Sequence, residues 1–195
     1  TAHHLRANQT PLSADSLTLA EQLQSAGYRT AAFSTNGWLS RSFGFDQGFD
    51  EFTRFAISEP EPMRTEAATV NEAALPWLAD NKGDQPFFLW LHYVDPHGPY
   101  IVPEEYEGIF ASDEHSNRLG DHPTTIGAER GRVDPKIALP GVVDMDDYVN
   151  LYDAEIRYLD DHLAALFEQL EAQGLTDNTL AVSYTHLTLP TKCWV

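Results

Sequence analysis

Phe87-Phe88-Leu89-Trp90-Leu91-His92-Tyr93-Val94-Asp95-Pro96-His97-Gly98-Pro99-Tyr100 is the stretch on which the fold turns. From Phe87 to Val94 it is almost unbroken apolar, the composition of a central strand covered on both faces, as in the parallel sheets of α/β proteins. Pro96 and Pro99 then stiffen the chain, and Gly98 allows close approach of backbone or ligand. Ligand sites in open α/β sheets lie just beyond the carboxyl ends of strands, which places this turn at a candidate site. His92, inside the run, reads as a hydrogen-bonded core histidine. His97, past the strand in the stiff turn, can donate to an anionic oxygen or move a proton near neutral pH.

Working outward, Thr18-Leu19-Ala20-Glu21 has the spacing of a capping box, so a short amphipathic helix is expected with Leu19, Leu23 and Ala26 on one face and Gly27 as its stop. Tyr28 to Ser34 reads as a buried strand, followed by Asn36-Gly37, a pair that favours turns with positive φ. Ser42 to Phe55 interleaves five phenylalanines with Gly44 and Gly48 and is expected to be an aromatic-anchored loop. Glu59-Pro60-Glu61-Pro62 marks a break. A helix is predicted over 65–81 with Val70, Ala74, Trp77 and Leu78 inward, kinked or split at Pro76.

Beyond the central stretch, 103–143 is polar, punctuated by Gly and Pro, and reads as a long surface excursion. Val149, Tyr152, Ile156, Leu159, Leu163, Leu166 and Leu170 are spaced alternately by three and four, which predicts one apolar stripe on a long helix ending at Gly174. A further strand is expected to begin at Thr179–Val182. Strands alternating with helices indicate an α/β layered fold.

The 195 residues suit one domain or a piece of a larger one. With 42% hydrophobic residues the chain can bury a core, and no apolar run approaches the ~18–20 residues of a membrane-spanning helix. A net charge of -18 repels phosphate backbones and anionic lipid heads, so nucleic acid and bare membrane are poor partners. Val182-Ser183-Tyr184-Thr185-His186-Leu187-Thr188-Leu189-Pro190-Thr191 resembles the conceptual translation of transposon-end adapter DNA used to prepare sequencing libraries. Residues 183–195 are therefore expected to be a non-native tail and 1–182 the native part; the alternative is a natural Thr- and Leu-rich strand. Excluding the tail sets aside Cys193, and with it Lys192, which moves the charge from -18 to -19.

Other polar groups carry weaker signals. His3 and His4 are adjacent and face apart on any regular element. His115 and His122, with Asp113, Glu114 and Asp121, sit in the polar excursion. Asp144, Asp146 and Asp147 lack the Gly and terminal Glu of an EF-hand and suit a helix N-terminus instead. No residue is assigned as a metal ligand.

Three blocks, Leu19 to Phe52, Pro86 to Pro103 and Tyr152 to Val182, resemble consecutive blocks of the sulfatase family within the alkaline-phosphatase-like superfamily. The resemblance implies an α/β layered sheet with helices on both faces, incomplete here, and makes 1–182 part of a sulfatase catalytic domain. It implies hydrolysis of a small-molecule or carbohydrate sulfate ester, on a bound Ca2+ and with a formylglycine nucleophile, both of whose residues fall outside this fragment. His97 matches the family's sulfate-contacting histidine, as a catalytic and substrate-binding residue. The family's Lys and His of a G-K-W-H segment would fall at Thr35 and Gly37, which are neither, and Asn36 is the candidate substitute donor. The fragment alone is expected to be inactive. Relatives are commonly exported, which implies a periplasmic or secreted protein. A phosphatase or phosphoethanolamine transferase of the same superfamily, or a non-catalytic binding protein on this fold, stays open as the alternative.

Overall fold

The computed structural model describes residues 11–55, 67–81, 85–111, 138–142 and 145–184. The readings at His3, His4, Glu59–Pro62, Asp113, Glu114, His115, Asp121, His122, Asp144 and 185–195 lie outside them.

Six regular elements follow one another: α1 (Leu19–Ser25), β1 (Arg29–Ser34), β2 (Glu51–Arg54), α2 (Ala67–Ala79), β3 (Phe87–His92) and α3 (Met145–Ala172). The strands form a parallel sheet in the order β2-β1-β3. Its register sets Ala31 opposite both Glu51 and Leu89, and Ser34 opposite both Arg54 and His92. Thus β1, whose Thr30 to Ser34 are all buried, is central among the described strands, while β3, expected to be central, is half-buried at an edge. The apolar run alone cannot distinguish these places, because it reports covered faces and not paired edges.

One face of the sheet carries the main core. Ala31 and Phe33 pack with Val70, Ala74, Trp77 and Leu78 of α2 and with Leu166 and Leu170 of α3; Phe87, Leu89 and Leu91 pack against this cluster. Burying a side chain such as Phe33 contributes about 1.5–3 kcal/mol, so this cluster is the main support of the layer. On the other face Phe49 stacks on Phe88 and Trp90, with ring centroids 5.7 and 6.0 Å away. There the Thr30 hydroxyl donates to the Gly48 carbonyl, 2.8 Å away. A Cβ on Gly48 would overlap the backbone of Ala20 and Glu21, so glycine allows the loop to seat α1 on this side.

Several expectations are corrected. The capping box is present, with Thr18 Oγ1 accepting from the Glu21 amide and the Glu21 carboxylate from the Thr18 amide. Leu19, however, is 59% exposed and Ala20 is the buried residue, because only a small side chain fits beneath the Gly48 loop. The second half of the supposed aromatic loop is β2, a four-residue strand that owes its form to pairing with β1. Pro76 does not split α2, which runs from Ala67 to Ala79. Apolar residues on both sides of Pro76 anchor in the same core, which offsets the hydrogen bond that proline removes.

In α3 the predicted stripe holds only in its second half. Leu166 and Leu170 are buried, whereas Val149, Tyr152 and Ile156 are 39–49% exposed and Tyr148, Ala154, Glu155 and Tyr158 point inward. The turn Glu104–Tyr106 docks on this first half: Tyr106 meets Tyr158 edge-on at 5.2 Å and its hydroxyl donates to Asp161. Thr179–Val182 forms no strand; Leu180 and Val182 are exposed and unpaired with the described sheet.

Candidate functional site

Parallel strands bring their carboxyl ends to one edge, and at that edge β1 and β3 are direct neighbours. Ser34 pairs with His92, and the next residue, Thr35, donates its amide to the His92 carbonyl at 3.4 Å. Asn36 follows from β1, and the segment 93–102 from β3. Both residues proposed from sequence, Asn36 and His97, therefore leave adjacent strands on the same edge.

The turn at Asn36 is held by side chains. Its amide donates to Ser34 Oγ at 3.1 Å, and its Oδ1 accepts from the Trp38 amide at 2.9 Å. This is an Asx turn, which explains why Gly37 is not among the glycines with positive φ, contrary to expectation. With Oδ1 engaged, the half-buried Asn36 presents Nδ2 as its donor. Thr35 is fully buried and faces no solvent; its hydroxyl lies 3.5 Å from the His92 carbonyl, so its role is to join the two strand ends.

His97 is exposed, whereas Asp95 and Gly98 on either side of it are buried. Its Nδ1 lies 2.8 Å from the Gly98 carbonyl. A carbonyl only accepts, so Nδ1 carries the proton and Nε2 is the ring nitrogen left outside that bond. When protonated as well, Nε2 becomes a donor for an anionic oxygen; unprotonated, it can take a proton. His92 differs. It is half-buried edge-on to Trp90 at 6.2 Å, and burial lowers its pKa. Its Nδ1 is buried and makes no hydrogen bond, and the ring lies outside the core cluster.

Two supports beneath this loop were not legible in the sequence. Tyr93 donates to Asn71 Oδ1 at 2.8 Å, and Asn71 Nδ2 donates to the His162 carbonyl at 2.7 Å, which ties the exit of β3 to both α2 and α3. Burial, with the nearby Asp95 charge, holds the Tyr93 hydroxyl well above the usual tyrosine range. Glu155, 2% exposed, accepts the Ile101 amide on Oε1 at 2.9 Å. Burial first, and the Asp95 charge in addition, push its carboxyl up to about 8, so that it is a neutral acid at pH 7. The apolar spacing pointed to Ile156 and passed over its neighbour; the signal was a carboxylate one position off the apolar stripe.

Among the described residues no three His, Cys, Asp or Glu side chains gather as a metal site. The two buried carboxyls nearest His97 do not fit the implied Ca2+: Glu155 is committed to the Ile101 amide, and one remaining carboxylate is far short of the six to eight oxygens that calcium takes.

The family model for sulfatases matches residues 2–185. The chain belongs to the sulfatase family. Among solved structures this sulfatase-family chain is similar to the phosphonate monoester hydrolase of Agrobacterium radiobacter, with a TM-score of 0.62 and 19% identity over 91% of this chain and 48% of that one. It is similar to the phosphonate monoester hydrolase SpPMH from Silicibacter pomeroyi, at 0.61 and 20%, over 91% and 48%. It is also similar to BT4656, solved in complex with its substrate D-glucosamine-2-N,6-O-disulfate, at 0.57 and 15%, over 89% and 50%. At such identities the likeness is one of fold, α/β with a parallel sheet. The chain spans about half the length of these structures. No curated protein matches it.

Proposed function

We propose that the protein to which this chain belongs hydrolyses sulfate monoesters, splitting the ester with water into an alcohol and sulfate. The observation that carries the reading is the exposed His97 imidazole, held at the carboxyl edge of the sheet in a chain of the sulfatase family. His97, protonated at Nε2, donates to a sulfate oxygen, and Asn36 Nδ2 is the second donor from the neighbouring strand end. Such donors act by stabilising the charge that gathers on the sulfate oxygens as the ester bond breaks. The formylglycine nucleophile and the Ca2+ belong, in this proposal, to parts of the protein outside these residues, and the substrate is a small-molecule or carbohydrate sulfate ester. The chain 1–195 by itself is then inactive.

Turnover of an aryl sulfate and an aryl phosphate by the full-length protein tests the reading. Sulfate release that falls on the order of a hundredfold in His97→Ala supports it. Preference for the phosphate ester would instead establish a phosphatase on this fold, and inertness toward both would indicate a binding protein; either result overturns the proposal.

A further inference from the structure

We propose that Glu155 is the positioning residue of the His97 loop: from inside α3 its one buried carboxyl clamps the main chain at Ile101, in the loop on which the imidazole is mounted. The inference rests on the reading of His97 given above. Its basis is geometric. The segment 93–102 leaves β3 and crosses the first half of α3, where Glu155 is 2% exposed. The Glu155 carboxyl accepts the Ile101 amide at 2.9 Å, and the nearby His97 amide favours its charged form. The loop is thus tied to α3 at Ile101, four residues after His97. Between and beside them Gly98 and Val102 are buried, and only His97 is exposed. The Tyr100 ring meets Tyr152, one turn before Glu155 on α3, edge-on at 5.5 Å, a second contact of the loop with the same helix.

A carboxyl serves here where an apolar residue would not, because the Ile101 amide would otherwise lose its acceptor. An amide hydrogen bond also fixes direction, which packing alone does not, and the direction of the His97 backbone sets where Nε2 points. The groups facing the Glu155 carboxyl from the loop are Asp95, His97 and Tyr100, with Tyr152 beside Tyr100 on α3 itself. Because the buried carboxyl is a neutral acid up to about pH 8, the clamp is closed at neutral pH without placing a second charge beside Asp95. Ionisation of Glu155 disfavours the closed loop, since the open form solvates the new charge.

Amide hydrogen exchange in the full chain, read residue by residue, tests the clamp. In Glu155→Ala the Ile101 amide is expected to exchange at least tenfold faster at pH 7, while Ala32 and Leu89 in the sheet are unchanged. Glu155→Gln keeps the acceptor oxygen and is expected to restore protection to within about threefold of native. In the native chain, after correction for intrinsic chemistry, Ile101 protection falls as the pH rises from the ordinary carboxyl range near 4.5 to about 8 and levels off above it; in Glu155→Gln it does not. Unchanged protection in Glu155→Ala, or the same pH response in native and Glu155→Gln, would overturn the proposal. Where the alanine variant does not fold, the native and glutamine pH series decide. These readouts need no turnover. A clamp that behaves as described in a full-length protein inert to sulfate esters refutes the functional reading alone, and active enzyme with an unclamped loop refutes the clamp alone.

Discussion

Replacing Asn71 with alanine removes the joint at which α2, α3 and the exit of β3 meet. Asn71 is 4% exposed, accepts from the Tyr93 hydroxyl at 2.8 Å and donates to the His162 carbonyl at 2.7 Å. The alanine variant leaves the Tyr93 hydroxyl without its acceptor, at about 1–3 kcal/mol, and forfeits the bond to His162, at about 1 kcal/mol. The expected loss is therefore about 2–4 kcal/mol, or roughly 6–12 °C in melting temperature for a chain of this size. Tyr93→Phe leaves Asn71 Oδ1 unpaired and costs about 1–2 kcal/mol. Once Asn71 is alanine, deleting the stranded hydroxyl is expected to cost little or to stabilise. Urea unfolding of the two single variants and the double variant measures this as a coupling energy of at least about 1 kcal/mol. Additive losses would show that the two side chains do not act as one joint, and a loss below about 0.5 kcal/mol in Asn71→Ala would refute the burial argument itself.

Gly48→Ala sets a Cβ into the backbone of Ala20 and Glu21 at a φ of +84°, with backbone on the other side of the contact that cannot step aside. A loss of about 3 kcal/mol, seen as an early thermal transition, is expected; native-like melting would mean that α1 does not sit on the Gly48 loop. Asp50 accepts from the Thr30 amide at 2.9 Å and from Gln24 at 2.6 Å, and these hydrogen bonds, that from Thr30 foremost, hold its carboxyl below the usual range. A depressed folded-state pKa gives stability that is present above the unfolded value and lost as pH falls through the folded one. Asp50 is exposed, so solvent screening trims the gain: Asp50→Ala is expected to cost about 0.5–1 kcal/mol at pH 7, with the gap to native closing in acid unfolding below about pH 3.8; a gap that is constant with pH would contradict it.

The parts of this fold that were legible are those whose cause is local. The capping box at Thr18 and Glu21 works over three residues, and Gly27 with φ of +88° ends the same helix. The inward face of α2 states which side is covered, and the structure covers it, whereas the run from Phe87 to His92 stays half-buried. His97 was legible because Pro96, Gly98 and Pro99 announce a stiff turn just past a strand. β2 was not, since nothing in Glu51–Arg54 distinguishes a strand from a loop until β1 lies beside it. Nor was the rotation of the first half of α3: Val149, Tyr152 and Ile156 have the spacing of a buried stripe, but the Glu104–Tyr106 turn and the His97 loop dock instead on the face of Tyr158 and Glu155.

By itself, then, the sequence determined an α/β chain, the ends of its helices, the strand that leads to the candidate site and the imidazole at its tip. Periodicity and capping suffice for these because they report groups within a few residues of one another. Tertiary structure alone decided the strand order β2-β1-β3, the exit of Asn36 and His97 from adjacent strands, and the burial of Glu155. Each of those depends on partners far apart in the chain, Ile101 and Glu155 being 54 residues apart, and which distant acceptor reaches a buried amide is settled only when the layers pack.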